Sequence, residues 1–264
     1  MKSAVFLLVT VLALSAFTHA QSLVRVETEL LGHIDKLAKA SNYGGTRDYD
    51  TLAKENVALQ NALLKYGKRA DVLTYKFPKL SKKVYLTTSR DGKFRAYSWD
   101  SEEGGTQHDY VTVLQYRGKS GKVYAWSVAH TQNLEERGAG SFVHEIFQTD
   151  TAAGPVYLAV STLIGSTSYA GQTISAYRID GEQLDRTPKV IKTRSGLKSS
   201  ISFGFDFFSV VDRPERPVRL FTYDDAKKSF RFPVVIEDRK TPQGRVTNRY
   251  ITYRFDGSHF VKVI

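Results

Sequence analysis

From about Val72 to the C-terminus, the hydrophobic pattern has a period of two residues and is interrupted at short intervals by polar turns. In the stretch ISFGFDFFSVV (201–211), aliphatic or aromatic side chains alternate with small or polar ones, which is typical of a β-strand. Asp-Gly pairs at 91–92, 180–181 and 256–257 separate such stretches, and this dipeptide favours tight turns between antiparallel strands. The chain is therefore predicted to be mainly β, with about a dozen strands in an antiparallel meander, sandwich or barrel-like sheet.

A weak repeat of strand, acidic turn and strand recurs in YRIDGEQL, FTYDDAKKSF and YRFDGSHF. A β-propeller would produce such a repeat, because each blade contains four strands. About a dozen strands would make only three blades, which is too few to close a ring. We therefore expect a large twisted antiparallel assembly, either open or barrel-like.

Residues 21–70 show a helical period instead. Leu23, Val26, Leu30, Ile34 and Leu37 form one apolar stripe, and Leu52, Leu59, Leu63 and Tyr66 form a second. The stretch Asn42–Gly45 is expected to end the first helix, Asp48 or Asp50 to cap the second, and Gly67 to end it. Because two isolated helices cannot bury both stripes, a helical hairpin over 21–70 is predicted to dock on a β domain over 71–264.

The N-terminus has the pattern of a secretory signal peptide. Lys2 precedes an apolar run from Ala4 to Phe17, and Thr18-His19-Ala20 follows, so we predict a signal over 1–20 that is cleaved after Ala20. No later segment is apolar enough to cross a bilayer. The chain has no cysteine and no N-x-[ST] sequon, which suits a bacterial envelope, with the periplasm favoured over the external medium.

The signal peptide, the loop in DGKFRAYSWD…GGTQH and the hairpin VYLAVST…ISAYRIDGEQL resemble a group of exported bacterial all-β proteins of unassigned function. This resemblance covers most of the β region. It implies export and an all-β fold, and it carries no activity.

The loop Ser98–Tyr110 is the candidate binding site, with Trp99, Asp100, Gly104, Gly105 and His108 as its candidate binding residues. Its oxygens do not fit an EF-hand calcium loop, because counting from Asp100 puts Gly104 at position 5 and Val111 at position 12. There is no H-E-x-x-H zinc motif either. No metal, cofactor or catalytic residue is therefore predicted. Turn chemistry accounts for nearly every residue, so we expect a structural loop whose carboxylates accept hydrogen bonds, in which Gly105→Val is costly and His108→Ala nearly silent.

The formal net charge is +11, and basic residues cluster in Lys76–Lys83, Arg186–Lys198 and Glu237–Arg249. Each cluster can be a solvated strand edge, since lysine on edges discourages sheet pairing, or the clusters can share one polyanion-binding face. The expected partners are an acidic polysaccharide or another envelope protein. Export argues against nucleic acid as the physiological partner.

Two functional classes follow from these observations, with a purely structural role behind them. The first is a non-catalytic envelope protein that binds a polymer, a small ligand or a partner protein through its β surface. The second is a hydrolase that acts on envelope material through carboxylates brought together near residues 100–109. The second class requires two carboxylates, or a carboxylate and a histidine, to meet in one cleft.

Overall fold

The computed structural model describes residues 22–41, 47–128 and 140–263. The predicted signal peptide and the predicted helix stop at residues 42–45 lie outside these ranges. Within them, no helix combines the length and the apolar character needed to cross a membrane.

Two long helices form the N-terminal part of the described chain, as predicted. Residues 22–40 form α1, Tyr49–Tyr66 form α2, and Ala70–Thr74 form the short helix α3. Asp48 caps α2 by accepting a hydrogen bond from the backbone N–H of Thr51 at 3.0 Å, and Gly67 is its C-cap. Both predicted apolar stripes face the core, with Leu30 and Leu59 at most 1% exposed and the end residues Leu23 and Tyr66 partly buried.

Fifteen strands occur in the described residues. In chain order they are β1 (Tyr85–Thr88), β2 (Phe94–Asp100), β3 (Tyr110–Arg117), β4 (Val123–Ser127), β5 (Ser141–Thr149), β6 (Val156–Ile164), β7 (Tyr169–Asp180), β8 (Gln183–Asp185), β9 (Ile191–Thr193), β10 (Gly196–Lys198), β11 (Ser200–Asp206), β12 (Thr222–Asp224), β13 (Ser229–Ile236), β14 (Arg245–Phe255) and β15 (Phe260–Lys262).

These strands form three open sheets rather than a closed barrel in the described part of the chain. Sheet A has the order β1-β2-β3-β4, and sheet B has the order β11-β7-β6-β5 with β8 paired to β7. Sheet C has the order β10-β9-β15-β14-β13-β12. The mainly β prediction is confirmed, but the β9–β15 pair is parallel, which the antiparallel prediction did not include.

The helices and the three sheets stack as four layers, in the order helices, sheet A, sheet B and sheet C. One core joins the helices to Tyr97, Trp99, Val111 and Val113 of sheet A. A second core joins the other face of sheet A, including Phe94, to Tyr157 and its neighbours in sheet B. A third lies between sheets B and C and is rich in phenylalanine, so the chain buries hydrophobic surface at three successive interfaces.

Because it lies between two layers, sheet A is buried on both faces, and polar side chains that alternate along its strands must find internal partners. Arg95, which is 3% exposed, donates to the carbonyl oxygens of Val72 at 3.0 Å and Tyr75 at 2.8 Å. Gln115 donates from Nε2 to the carbonyl oxygen of Gly67 at 2.9 Å. These bonds satisfy carbonyls at the ends of α2 and α3, and they fix the helical layer on the sheet.

Candidate functional site

The loop Ser98–Tyr110 is an ordered turn closed by its own backbone. The Ser101 N–H donates to the carbonyl oxygen of Asp109 at 2.7 Å, and the Gly105 N–H donates to that of Gln107 at 2.9 Å. The carboxylate of Asp100 accepts from the Glu102 N–H at 2.9 Å, and Glu102 takes a left-handed conformation with φ of 61°. This is the Asx-type turn that the sequence predicts.

The other loop carboxylates attach the turn to neighbouring layers. Glu102 accepts a hydrogen bond from the Ser41 hydroxyl at 2.6 Å, which ties the loop to the end of α1. Asp109 accepts from the Gly140 N–H at 2.9 Å, next to the start of β5. Arg47 donates to the carbonyl oxygens of Glu103 and Gly104. The turn therefore bridges the helices and sheet B.

The two glycines of the loop have different surroundings, which corrects one expectation. A Cβ placed on Gly104 would lie 2.2 Å from the carbonyl oxygen of Gln107, whereas a Cβ on Gly105 would meet nothing within 4 Å. Neither glycine has a positive φ. The expectation that Gly105→Val is costly is therefore wrong, because the close approach is at Gly104.

We expect Gly104→Val to lower the free energy of unfolding by about 1–3 kcal/mol, because the new side chain would displace the backbone that carries Gln107. Gly105→Val should stay within about 0.5 kcal/mol of the wild type, as is usual for an open surface position. Urea denaturation of the two variants measures both values. Equal losses would contradict the assignment of the constraint to Gly104.

Trp99 and His108, which the sequence places in one site, lie on opposite sides of sheet A. Trp99 is 2% exposed, packs in the core between the sheet and the helices, and donates from Nε1 to Oδ1 of Asn56 at 2.9 Å. It is therefore a core residue that anchors α2. His108 faces the side of sheet B and, together with Thr106 of the same loop, lines a cavity.

His108 is held in a fixed orientation at that cavity. Its Nδ1 lies 2.5 Å from Oδ2 of Asp100, its backbone N–H donates to the carbonyl oxygen of Ile164 at 3.1 Å, and its ring stacks with Tyr110. An ionised carboxylate only accepts hydrogen bonds, so an imidazole that is neutral in this position carries its proton on Nδ1 and its lone pair on Nε2. Nε2 makes no hydrogen bond with any described residue.

The cavity has a volume of about 450 Å³ and lies between the ends of sheets A and B and the segment 205–218. Most of its wall is apolar, formed by Phe142, Ile164, Ala170, Phe205, Phe207 and Val218. Hydroxyl groups of Thr106, Thr162, Ser166 and Thr167 also reach it, together with His108 and Arg216. No described carboxylate lines it, which leaves Arg216 as its permanently charged residue.

The floor of the cavity is built by a buried glutamine. Gln172, which is 1% exposed, donates from Nε2 to the Thr162 hydroxyl and to the carbonyl oxygen of Val218, and it accepts from the Leu220 N–H at 3.1 Å. These bonds attach segment 218–220 to β6 and β7. The cavity therefore exists before any ligand arrives.

Arg216 is held at the cavity by its own loop. Its guanidinium donates to the carbonyl oxygens of Val211, Arg213 and Glu215, and it lies 5.6 Å from the centre of the Phe207 ring. A guanidinium has five N–H donors, so these three bonds leave two donors for a ligand. The positive charge is thus pre-positioned at an apolar wall.

Sequence reasoning found two residues of this arrangement, Asp100 and His108, and missed the rest of the cavity. The small-residue stretch Gly165–Gly171 supplies Ser166, Thr167 and Ala170 to the wall. Segments 205–207 and 216–218 carry no local sequence pattern that indicates a binding site. Asp100 does not line this cavity, but orients the histidine that does.

Among the residues that the structure describes, no group of three or more histidine, aspartate or glutamate side chains is placed to hold a metal ion. Comparison of the chain with known proteins gave no match to a family model, to a curated protein or to a solved structure. The function has to be argued from the cavity itself.

Proposed function

We propose that this protein is an exported, non-catalytic binding protein whose cavity takes a small ligand with an apolar body and one anionic group. The observation that carries this proposal is the composition of the wall, which is mostly apolar and has Arg216 but no described carboxylate. The N-terminal signal pattern supports export to the periplasm or to the medium.

The volume of about 450 Å³ lies within the roughly 300–1,000 Å³ of typical small-molecule sites. Burial of a ligand's apolar surface against the phenylalanine rings would provide most of the free energy of binding, at about 25 cal/mol per Å² before the entropic costs of association. The two unused N–H donors of Arg216 would donate hydrogen bonds to an anionic group, such as a carboxylate, at a place where no acidic side chain competes.

His108 adds a directional contact to this scheme. Its Nε2 lone pair would accept a hydrogen bond from a hydroxyl or amide of the ligand, while Asp100 keeps the ring from rotating. The hydroxyls around the cavity offer further adaptable contacts. The polar groups therefore lie at separate points of an apolar wall, as in sites that orient a ligand.

The Asp100–His108 pair favours a second candidate function, ester hydrolysis in the same cavity, because the histidine that lines the cavity is bonded to a carboxylate behind it. A general base of this type would take a proton from a water or a hydroxyl. No described hydroxyl is bonded to the imidazole, and Ser166 accepts instead from the backbone N–H groups of Ser168 and Tyr169. Binding therefore remains the first candidate.

We expect anilinonaphthalene sulfonate to bind the cavity more tightly than phenylnaphthylamine, which shares its rings but lacks the anion. Arg216→Gln should weaken binding of the sulfonate about five- to tenfold and leave the neutral probe unchanged, because the variant loses only the charge-assisted contact. Thr167→Trp, at an exposed position of the cavity mouth, should weaken both probes. Fluorescence titration measures the affinities of the two folded variants for both probes.

The matched control is Arg213→Gln, which removes an arginine from the same loop but not from the cavity wall. Equal effects of Arg213→Gln and Arg216→Gln would contradict a specific anion contact. The hydrolase is tested with p-nitrophenyl esters of short acids. Turnover by the wild type that is lost in His108→Ala, with probe binding retained, would replace the binding proposal by the second candidate.

A further inference from the structure

The strands of sheet C carry an uneven distribution of charge. Its six described strands contain seven basic residues and one acidic residue, Asp224. All seven basic side chains are exposed, namely Lys192, Lys198, Arg231, Arg245, Arg249, Arg254 and Lys262. Sheet C is the outermost layer of the stack, so one of its faces is directed away from sheet B. The face towards sheet B packs in the phenylalanine-rich core.

Three of the seven, Lys192, Arg231 and Arg254, lie on the face directed away from sheet B. Their neighbours along the strands, including Ile191 and Tyr253, belong to the core with sheet B, and side chains alternate between the two faces of a strand. Lys192 and Arg254 are both register partners of Val261, so they are separated by two strand spacings, or about 10 Å. The outer face thus presents a row of cations.

Carboxylates of the described chain hardly neutralise the seven basic residues of sheet C. Arg245 lies 3.9 Å from Asp238, and none of the other six basic residues forms an ion pair with a described carboxylate. Arg231 donates to the Thr222 hydroxyl at 3.2 Å, and its guanidinium lies over the ring of Tyr250, with 4.8 Å to the ring centre. The charge is therefore available to an external partner.

The fold also unites two of the three basic clusters of the sequence. Lys192 and Lys198 come from the cluster 186–198, and Arg245 and Arg249 come from the cluster 237–249. The cluster 76–83 lies elsewhere, before sheet A. Both clusters therefore contribute strands to one sheet, and the first of them supplies Lys192 to its outer face.

We propose that the outer face of sheet C, centred on Lys192, Arg231 and Arg254, binds a linear anionic polysaccharide. Cations spaced over several strands on one face of a sheet complement an extended chain of repeating negative charges. Single-stranded nucleic acid is bound on several stacking aromatic rings, whereas Tyr250 is the large aromatic side chain exposed on the described part of this sheet. The major groove of duplex DNA admits a helix or a two-stranded ribbon, whereas this face belongs to a six-stranded sheet. This proposal does not depend on the function of the cavity.

The test compares two triple variants of equal charge change in the purified chain. Lys192→Glu/Arg231→Glu/Arg254→Glu reverses the outer face, and Lys39→Glu/Lys54→Glu/Lys68→Glu reverses three exposed lysines of the helical layer. Fluorescent heparin and polygalacturonate serve as probes, because they carry sulfate and carboxylate groups. Circular dichroism and thermal melting check that both variants are folded.

We expect the outer-face variant to lose roughly tenfold or more in affinity for both polysaccharides, and the helical-layer variant to lose much less. Wild-type binding should weaken as salt is raised, because the contacts are exposed. Equal losses in the two variants would show that only net charge matters and would overturn the proposal. Tighter binding of single-stranded DNA, or of vesicles containing phosphatidylglycerol, at equal charge concentration would overturn it in favour of those partners.

Discussion

Deletion of residues 22–67 should give a protein that does not accumulate in soluble, folded form, because it would remove most of the layer that covers one face of sheet A. That face carries Tyr97, Trp99, Val111 and Val113, and all four are at most 2% exposed in the intact chain. The deletion would also leave Gln115 without the Gly67 carbonyl that it bonds. Buried polar groups and a large apolar surface would then face water together.

The size of this effect follows from the helical side chains. Burial of Leu30, Ile34, Leu59 and Leu63 contributes about 1.5–3 kcal/mol each, so the four together contribute about 6–12 kcal/mol. A typical domain has only about 5–15 kcal/mol of net stability. Loss of the layer should therefore be enough to unfold the protein, which soluble yield and the loss of a cooperative melting transition would report.

A matched pair of alanine variants on α2 tests the same prediction in a protein that still folds. Leu59 is 1% exposed and Val57 is 59% exposed on the same helix. Leu59→Ala should cost about 2–5 kcal/mol, and Val57→Ala about 0.5 kcal/mol or less. A truncated protein with an unchanged melting temperature, or similar losses in the two alanine variants, would show that the helices are a detachable appendage.

The local hydrophobic pattern of the sequence predicts most of the helices and strands. The order in which the layers stack cannot be predicted from any local pattern. The helical period of 22–40 and 49–66 and the alternation of the strands depend only on neighbouring residues. Burial of sheet A on both faces depends on which layers come to cover it. The alternation of Phe94, Arg95 and Ala96 suggests one solvated face, but Arg95 is buried because carbonyl groups of the helical layer accept its hydrogen bonds.

The candidate site could be predicted only where it lies in one short loop. Asp100 and His108 are eight residues apart, and the Asp-x-x-x-Gly-Gly turn between them brings their side chains together. Trp99 is adjacent to Asp100 in the sequence and was therefore predicted to belong to the same site. Neighbouring residues of a strand point to opposite faces, so the two side chains lie apart. Phe142, Gln172 and Arg216 join the cavity through long-range packing, which periodicity along the chain does not report.

His144 occupies a position that local alternation also does not predict. In the β5–β6 pair, Val143 is opposite Ser161 and Glu145 is opposite Val160, so His144 is the extra residue of a β-bulge. Both of its ring nitrogens are buried, and neither has a hydrogen-bond partner. Burial, together with the nearby charge of Arg219, lowers the pKa of His144 from 6.5 to about 4.

This environment should make the protein lose stability between about pH 6.5 and pH 4. In that window the unfolded chain binds a proton at His144 and the folded chain does not, so the free energy of unfolding falls as the pH falls. A pKa difference of about 2.5 units corresponds to roughly 3 kcal/mol at the acid end of the window. Burial raises the pKa of Glu145, which acts in the opposite direction, so the contribution of His144 has to be measured by difference.

Comparison with His144→Leu isolates that contribution, because Glu145 titrates in both proteins. At pH 7 the leucine variant should be as stable as the wild type or more stable, since it removes a buried donor and acceptor that have no partner. On acidification to pH 4, its advantage should grow by roughly 3 kcal/mol. Urea denaturation at a series of pH values measures the difference. Parallel curves for the two proteins would mean that His144 is protonated in the folded state, and that the bulge opens to let solvent or a carboxylate reach it.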